Sequence, residues 1–145
     1  MDRILFLCTS NSARSQMAEG LARALGGDRV EVWSAGIEPK GVHPLAVRAM
    51  AERGIDISRQ SSKDLSAVPA DPDVVITLCD NAADRCPAFP GRVQRVHWSL
   101  PDPAAVAGSE DERMAAFRAV RSEIESRLTG FLRERGSLAR RTDVG

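Results

Sequence analysis

The chain has no tyrosine, and aromatic residues make up only 4% of its 145 residues. It also has no excess charge of either sign, because 20 lysine and arginine residues balance 20 aspartate and glutamate residues. This balance argues against nucleic acid or an anionic membrane as the main partner. Apolar runs are too short for a membrane span or a signal peptide, so we expect a cytoplasmic protein with a single compact core.

Cysteine is scarce as well, with Cys8, Cys79 and Cys86 as its three occurrences. An odd number of cysteines in a reducing compartment does not fit a structural disulfide framework, and it favours reactive or metal-binding thiols. A zinc site is the weaker hypothesis, because closely paired cysteines and a set of four ligands are missing. We therefore expect no bound metal, and thiol redox chemistry becomes the leading hypothesis.

The apolar segments alternate between strand and helix patterns. The sequence predicts strands at residues 4–7, 30–33, 73–78 and 93–98, and helices at residues 17–25, 44–53 and 114–131. Such alternation is typical of an α/β fold whose parallel sheet is covered on both faces. Ligands of these sheets bind beyond the carboxyl ends of the strands, where Cys8, Cys79 and the segment after Trp98 fall. We expect one domain over residues 1–135 and a flexible tail over residues 136–145.

The segment directly after the first strand carries the strongest signal. It consists of small or polar residues and one arginine: Cys8, Thr9, Ser10, Asn11, Ser12, Ala13, Arg14 and Ser15. A short loop between a strand and a helix directs unpaired N–H groups and the helix dipole at a bound anion, and Arg14 adds a two-pronged donor. The same field stabilises the Cys8 thiolate. We predict a tetrahedral-oxyanion site with a nucleophile at its floor, and a helix capped by Ser12 or Asn11.

The two remaining cysteines, Cys79 and Cys86, lie seven residues apart directly after the third strand. If the residues between them are helical, the two Cα atoms lie about 10.5 Å apart, whereas a disulfide needs them within about 7 Å. Oxidation would therefore unwind the helix, which could carry oxidising equivalents from a buried site to the surface. The alternative is two unrelated thiols, one of which simply belongs to the core.

An aspartate, Asp102, lies between two prolines directly after the fourth strand. For an isolated Asp-Pro pair a simple turn is the better interpretation. Asp102, however, is expected opposite the loop of residues 8–15, called the anion loop below, and this position favours a general acid that protonates a leaving oxygen. His43 and His97 could act as bases. Neither has an orienting partner that is visible in the sequence, so we expect them to pack in a loop and a strand.

Together these segments resemble the thioredoxin-coupled arsenate reductases built on the low-molecular-weight tyrosine phosphatase fold. The resemblance rests on four features over about residues 3–132: residues 8–15, Ser34-Ala35-Gly36, Thr77-Leu78-Cys79 with Cys86, and Asp102-Pro103. It implies a flavodoxin-like three-layer sandwich whose four parallel strands have the order 2-1-3-4. It also implies a monomer that detoxifies arsenic and uses thioredoxin as electron donor, without a bound cofactor.

The resemblance assigns a role to each residue of the predicted site. Cys8 would attack arsenate, which Arg14 and the loop amides hold while Ser15 and Asn11 support the loop. Asp102 would protonate the departing hydroxide. Cys79 would then attack Cys8 and release arsenite. Cys86 would finally attack Cys79, and thioredoxin would reduce the resulting Cys79–Cys86 disulfide.

One position departs from the family. Several of these reductases hold a potassium ion beside the anion loop, and by resemblance its ligands here would involve Asn11, Glu19, Ser34 and Ser61. An acidic ligand is replaced by Lys63. Either the Lys63 ammonium takes the place of the cation, or Lys63 lies on the surface and the neighbouring Asp64 serves instead.

Two other functions stay open at the level of sequence. A low-molecular-weight phosphatase would need only Cys8, Arg14 and Asp102, although Ala104 and Ala105 provide no aromatic wall for a phosphotyrosine ring. A non-catalytic thiol switch could bind an oxyanion and signal through residues 79–86. A low-molecular-weight thiol with a glutaredoxin-like partner could also replace thioredoxin as reductant.

Overall fold

The computed structural model describes residues 1–69, 71–84, 86, 89 and 92–139. Strands and helices alternate along most of the chain. The strands are β1 (Asp2–Cys8), β2 (Val30–Gly36), β3 (Val74–Thr77) and β4 (Gln94–His97). The α-helices are α1 (Arg14–Gly26), α2 (Pro44–Ala51), α3 (Asp80–Asp84) and α4 (Glu110–Glu134). All strand pairs are parallel and their order is β2-β1-β3-β4, so the predicted architecture is confirmed.

The core surrounds the two central strands. Residues 4–8 of β1 and all of β3 are buried. Because successive side chains of a strand point to opposite faces, this unbroken burial shows that both faces of the sheet are covered. The edge strand β4 is mostly exposed. Continuous apolar runs of this kind made the central strands predictable from the sequence.

The long helix α4 begins at a capping box and buries one face. Ser109 accepts a hydrogen bond from the amide of Glu112, whose carboxylate accepts one from the Ser109 amide in return. The buried residues recur every three or four positions: Met114, Phe117, Val120, Ile124, Leu128 and Leu132. Phe131, the last residue of the apolar pattern in the sequence, is half-buried, and the fully buried face continues to Leu132. Phe131 instead packs edge-on against Trp98, with ring centroids 5.9 Å apart.

The chain after α4 returns to the start of the sheet. The Arg135 guanidinium forms two hydrogen bonds with the Asp2 carboxylate, at 2.8 and 3.0 Å, and the Ser137 hydroxyl donates to the same group. The Ala139 amide donates to the Leu25 carbonyl at 2.8 Å. Residues 136–139, where we expected the start of a flexible tail, thus contact the first strand and α1, and residues 140–145 lie outside the described part of the chain.

Candidate active site

A pocket of about 360 Å³ opens beyond the carboxyl end of β1. The residues that line it come from the loop after β1 and from two other loops: Cys8, Ser10, Ser12, Ala13, Arg14, Lys40, His43, Asp102, Ala104 and Ala105. The structure thus brings together the predicted nucleophile, the predicted anion-binding arginine and the predicted acid. Asp102 is 94 positions from Cys8 and 88 from Arg14 in the sequence, and it meets them only because the parallel strands end at one edge.

The sulfur of Cys8 is buried and supported from beneath by a chain of hydrogen bonds. Its partner is the Ser15 hydroxyl at 2.9 Å. That hydroxyl oxygen accepts a hydrogen bond from Asn11 Nδ2 at 2.7 Å, so its own proton is free to point at the sulfur. The Asn11 Oδ1 atom in turn accepts from the Lys63 amide at 2.9 Å, which fixes the orientation of the side-chain amide. This arrangement directs a hydroxyl donor at the Cys8 sulfur and fixes the sulfur at the floor of the pocket.

The backbone of the anion loop is held in an unusual conformation. Asn11 has a φ of 45°, in the left-handed region that non-glycine residues seldom adopt. Its buried side chain is engaged by Ser15, Gln16 and the Lys63 amide, and Ala13 occupies the N-cap of α1 without a side-chain hydrogen bond. The predicted capping by Ser12 or Asn11 is therefore wrong. The amides at the start of α1 are not engaged by a cap and can serve a bound anion instead.

Arg14 is aimed across the pocket towards the acid. Its Nη1 atom donates to the Leu100 carbonyl at 3.0 Å, and its Nη2 atom lies 3.9 Å from Asp102 Oδ2. The other Asp102 oxygen accepts the Ala104 amide at 3.0 Å, which fixes the carboxyl group at the start of a short 3₁₀ turn. The Asp102 carboxyl group is thus fixed by the turn that it begins, and its Oδ2 atom lies on the side of Arg14.

Cys79 lies directly after β3, against the side of the anion loop. Its sulfur is 3.2 Å from the Thr9 hydroxyl oxygen, which also accepts a hydrogen bond from Asn81 Nδ2 at 3.0 Å. The Ala82 amide donates to the same sulfur at 3.4 Å. Of the predicted loop residues, Thr9 therefore faces a second thiol rather than the pocket. Cys79 therefore contacts Thr9, the residue directly after Cys8.

Cys86 follows α3 and lies apart from the pocket. It lines a separate cavity of about 140 Å³, with walls from β3, β4 and Ala83. Burial raises the pKa of the Cys86 thiol, and the charge of Arg95 acts in the opposite direction. Burial thus disfavours the thiolate form of Cys86 in this position. All three cysteines are in the thiol form in the structure, without a disulfide.

The place where the family resemblance implied a potassium ion contains an ammonium group. Lys63 Nζ lies 3.7 Å from Oε1 of the buried Glu19 and donates to the Ser61 carbonyl at 3.0 Å. The Ser34 hydroxyl donates to the same Glu19 oxygen at 2.6 Å. Because the ammonium already contacts the oxygens that would bind the ion, these residues do not fit potassium. Burial lowers the pKa of Lys63, whereas Glu19 raises it. Across the described residues, no group of three or more His, Cys, Asp or Glu side chains could hold a metal ion.

Both histidines have orienting partners that the sequence did not reveal. His43 caps α2 through Nδ1, which accepts the Leu45 amide at 3.1 Å, and its ring lies 4.8 Å from the Phe117 ring. Burial lowers the pKa of His43, the Arg113 charge lowers it further, and Asp102 raises it. His97 lies between Thr77 and Asp80, at 2.7 and 2.9 Å. His43 thus reaches the pocket, and His97 reaches the helix that follows Cys79.

Two polar groups of the site, Gln16 and Lys40, were not predicted from the sequence. Gln16 is fully buried, and its Nε2 atom lies 3.0 Å from both Asn11 oxygens and 2.9 Å from the Ser61 carbonyl. Lys40 lines the pocket. Gln16 could have been recognised as a polar residue next to Met17, at the start of the otherwise apolar face of α1. No local signal marked Lys40, which reaches the pocket only through the path of the loop after β2.

Comparison with known proteins identifies the family. The family model of low molecular weight phosphotyrosine protein phosphatases matches residues 3–142. The chain belongs to this family. Among its relatives, the arsenate reductase of Bacillus subtilis is 53% identical over 129 residues, which cover 88% of this chain and 93% of the relative. The resemblance stated from the sequence is thereby confirmed.

Solved structures of family members agree with this fold. An arsenate reductase in a phosphate-binding state superposes with a TM-score of 0.76 at 37% identity, covering 92% of this chain and 98% of its own. A thioredoxin-dependent arsenate reductase of Corynebacterium glutamicum gives a TM-score of 0.72 at 29% identity, covering 92% of this chain and 61% of its own. No helix among the described residues is long and apolar enough to cross a membrane.

Proposed function

We propose that this protein reduces arsenate to arsenite by passing one oxidation through Cys8, Cys79 and Cys86, with thioredoxin as the final reductant. The observation that carries the proposal is the position of Cys79, whose sulfur contacts Thr9 in the loop that also carries Cys8. Ester hydrolysis needs one nucleophilic thiol. Reduction of arsenate needs two electrons, and a pair of thiols supplies them.

The first step is an attack by the Cys8 thiolate on arsenic. Arg14 and the amides at the start of α1 hold the oxyanion, and a protonated Asp102 donates its proton to the departing hydroxide, which leaves as water. The product is a covalent adduct between Cys8 and arsenic. Ser15 supports the sulfur through its hydroxyl at 2.9 Å.

The second step transfers the oxidation to a disulfide. The Cys79 thiolate attacks the sulfur of Cys8, the sulfur–arsenic bond breaks, and its electron pair leaves with arsenic as arsenite. The Cys86 thiolate then attacks Cys79, so that Cys8 is released as a thiolate. The Cys79–Cys86 disulfide accepts two electrons from thioredoxin, which closes the cycle and would serve arsenic detoxification.

A coupled assay tests this proposal. Purified protein with arsenate, thioredoxin, thioredoxin reductase and NADPH is expected to oxidise NADPH continuously. Cys79→Ser is expected to abolish this activity, and Cys86→Ser is expected to leave a single turnover of arsenite. Hydrolysis of p-nitrophenyl phosphate serves as the matched control, since it uses Cys8 and not Cys79. Absence of arsenite with the parent protein would refute the proposal.

The same assay separates the two alternatives. A phosphatase would hydrolyse the ester equally well in the parent and in Cys79→Ser, without arsenate-dependent NADPH oxidation. Ala104 and Ala105 line the pocket where a phosphotyrosine ring would need an aromatic wall, which argues against phosphotyrosine as the natural substrate. A thiol switch would show neither activity. Replacing thioredoxin with glutathione and glutaredoxin tests the choice of reductant.

A further inference from the structure

The geometry points to a polar clasp, formed by Asp80, His97, Ser99 and Thr77, that holds the segment between Cys79 and Cys86 in its reduced position. Asp80 is the first residue of α3, and Oδ1 of its carboxylate lies 2.9 Å from His97 Nε2 and 3.1 Å from the Ser99 hydroxyl. His97 Nδ1 lies 2.7 Å from the Thr77 hydroxyl. This inference rests on the proposed function, and it adds positioning residues to the proposed relay.

The direction of the hydrogen bonds follows from the chemistry of the groups. A carboxylate only accepts, so His97 Nε2 must carry a proton and donate it to Asp80. His97 Nδ1 faces the Thr77 hydroxyl, which also lies 3.4 Å from the Val96 carbonyl. The hydrogen bonds from His97 and Ser99 lower the pKa of Asp80, in agreement with an ionised acceptor. The clasp thus links the start of α3 to the ends of β3 and β4.

Among the described residues, few other contacts fix α3. Of its five residues, Ala82 is buried, Ala83 is half-buried and the other three are exposed. Its other described hydrogen bonds run from Asn81 to Thr9, from the Ala82 amide to the Cys79 sulfur, and from the Ala83 amide to the Cys79 carbonyl at 3.1 Å. A helix with so little buried apolar surface depends on its polar contacts for its position. The clasp therefore helps to stabilise the position in which Cys79 lies beside the anion loop.

The two steps of the relay place opposite demands on this segment. For the attack on Cys8, Cys79 must remain next to Thr9, and the clasp supports this position. For the attack by Cys86, α3 must shift or open, because the Cys79 sulfur faces Thr9 whereas Cys86 lines a separate cavity beyond the end of the helix. The clasp is exposed, with 80% of the Asp80 side chain accessible, so its bonds are weak enough to break during turnover.

Removing the clasp is therefore expected to change the two steps in opposite directions. Asp80→Ala destabilises the dithiol form alone, so the Cys79–Cys86 pair becomes a more stable disulfide. The equilibrium constant should shift by about threefold to tenfold, which corresponds to a reduction potential about 14 to 30 mV more negative. The transfer from Cys8 to Cys79 should slow by roughly threefold or more, since Cys79 is less well placed.

Two measurements test these expectations. In a Cys8→Ser background, the potential of the Cys79–Cys86 pair is determined by equilibration with oxidised and reduced dithiothreitol, followed by thiol alkylation and mass spectrometry. In a Cys86→Ser background, the burst of arsenite reports the first transfer. Asp84→Asn is the matched control, because it removes a carboxylate from the same helix without touching the clasp.

His97 provides a second set of variants with a built-in rescue. His97→Ala should reproduce the potential shift of Asp80→Ala, and His97→Gln, which keeps an N–H donor for Asp80, should stay nearer to the parent. An unchanged or less negative potential in Asp80→Ala, or an equal shift in Asp84→Asn, would overturn the clasp. A parent that forms no Cys79–Cys86 disulfide would overturn it together with the relay. A shifted potential without any arsenite burst in the parent would instead refute the reductase and leave the clasp standing.

Discussion

The hydroxyl oxygen of Ser15 lies 2.9 Å from the Cys8 sulfur and 2.7 Å from the Asn11 amide nitrogen. Because Asn11 donates to this oxygen, the hydroxyl proton is available to the sulfur. Ser15→Ala should therefore destabilise the thiolate and slow alkylation of Cys8 by iodoacetamide at neutral pH by about tenfold. Alkylation followed by mass spectrometry in a Cys79→Ser/Cys86→Ser background measures this rate. An unchanged rate would show that the serine does not stabilise the charge.

A glycine lies directly beside the anion loop. A Cβ atom on Gly36 would be 2.7 Å from the Asn11 amide nitrogen and 2.9 Å from the Thr9 carbonyl oxygen, so Gly36→Ala must displace the loop backbone. We expect the kcat/KM for arsenate to fall by roughly 100-fold. Gly130→Ala is the matched control: its new Cβ meets no described atom within 4 Å, and it should keep full activity. Equal activity of the two variants would contradict the close approach.

The ammonium group beside Glu19 predicts how the protein responds to salts. Since Lys63 Nζ already contacts Glu19 and the Ser61 carbonyl, kcat/KM should be equal in potassium chloride and sodium chloride at the same ionic strength. Lys63→Met should lower the free energy of unfolding by about 2 kcal/mol, because the buried Glu19 loses one of its charged partners. Urea unfolding measures this change, and Lys63→Arg should recover part of it. Stimulation of the parent by potassium would refute this prediction.

The contact between the two ends of the chain predicts a dependence of stability on pH. The hydrogen bonds from Arg135 hold the pKa of Asp2 below its usual range, although burial acts in the opposite direction. A lowered folded-state pKa contributes stability that is present above about pH 4 and is lost as the pH falls through the folded value. Asp2→Asn should thus be less stable than the parent at pH 7, and the difference should shrink towards pH 3. Urea midpoints at both pH values measure it, and a difference that grows in acid would contradict this sign.

The elements that the sequence predicted well are those fixed by local pattern. The apolar run before Cys8, the small residues up to Arg14 and the placement of Cys79 after a buried strand are all contained within a few positions. Together they determined the fold and the anion site. The last buried position of α4 was predicted less accurately, because Phe131 and Leu132 are neighbours and only Leu132 is fully buried.

The contacts that the sequence did not reveal join residues that are far apart. Lys63 and Glu19 are 44 positions apart in the sequence, and His97 and Asp80 are 17 apart. No local sequence pattern therefore predicts either pair. The failure of the predicted helix cap has a similar cause. Asn11 is a good capping residue in isolation, but Ser15, Gln16 and Lys63 compete for its side chain and take all of it.

The position of Trp98 gives this chain an optical probe of its own chemistry. Trp98 is buried between His97 and Ser99, the two residues that hold Asp80, while Trp33 lies half-buried at the opposite edge strand near Arg3. With no tyrosine in the sequence, these two indole rings account for nearly all of the near-ultraviolet emission. The surroundings of Trp98, and with them its fluorescence, would therefore change each time the cysteines are oxidised or reduced. No attached dye is needed to follow this change.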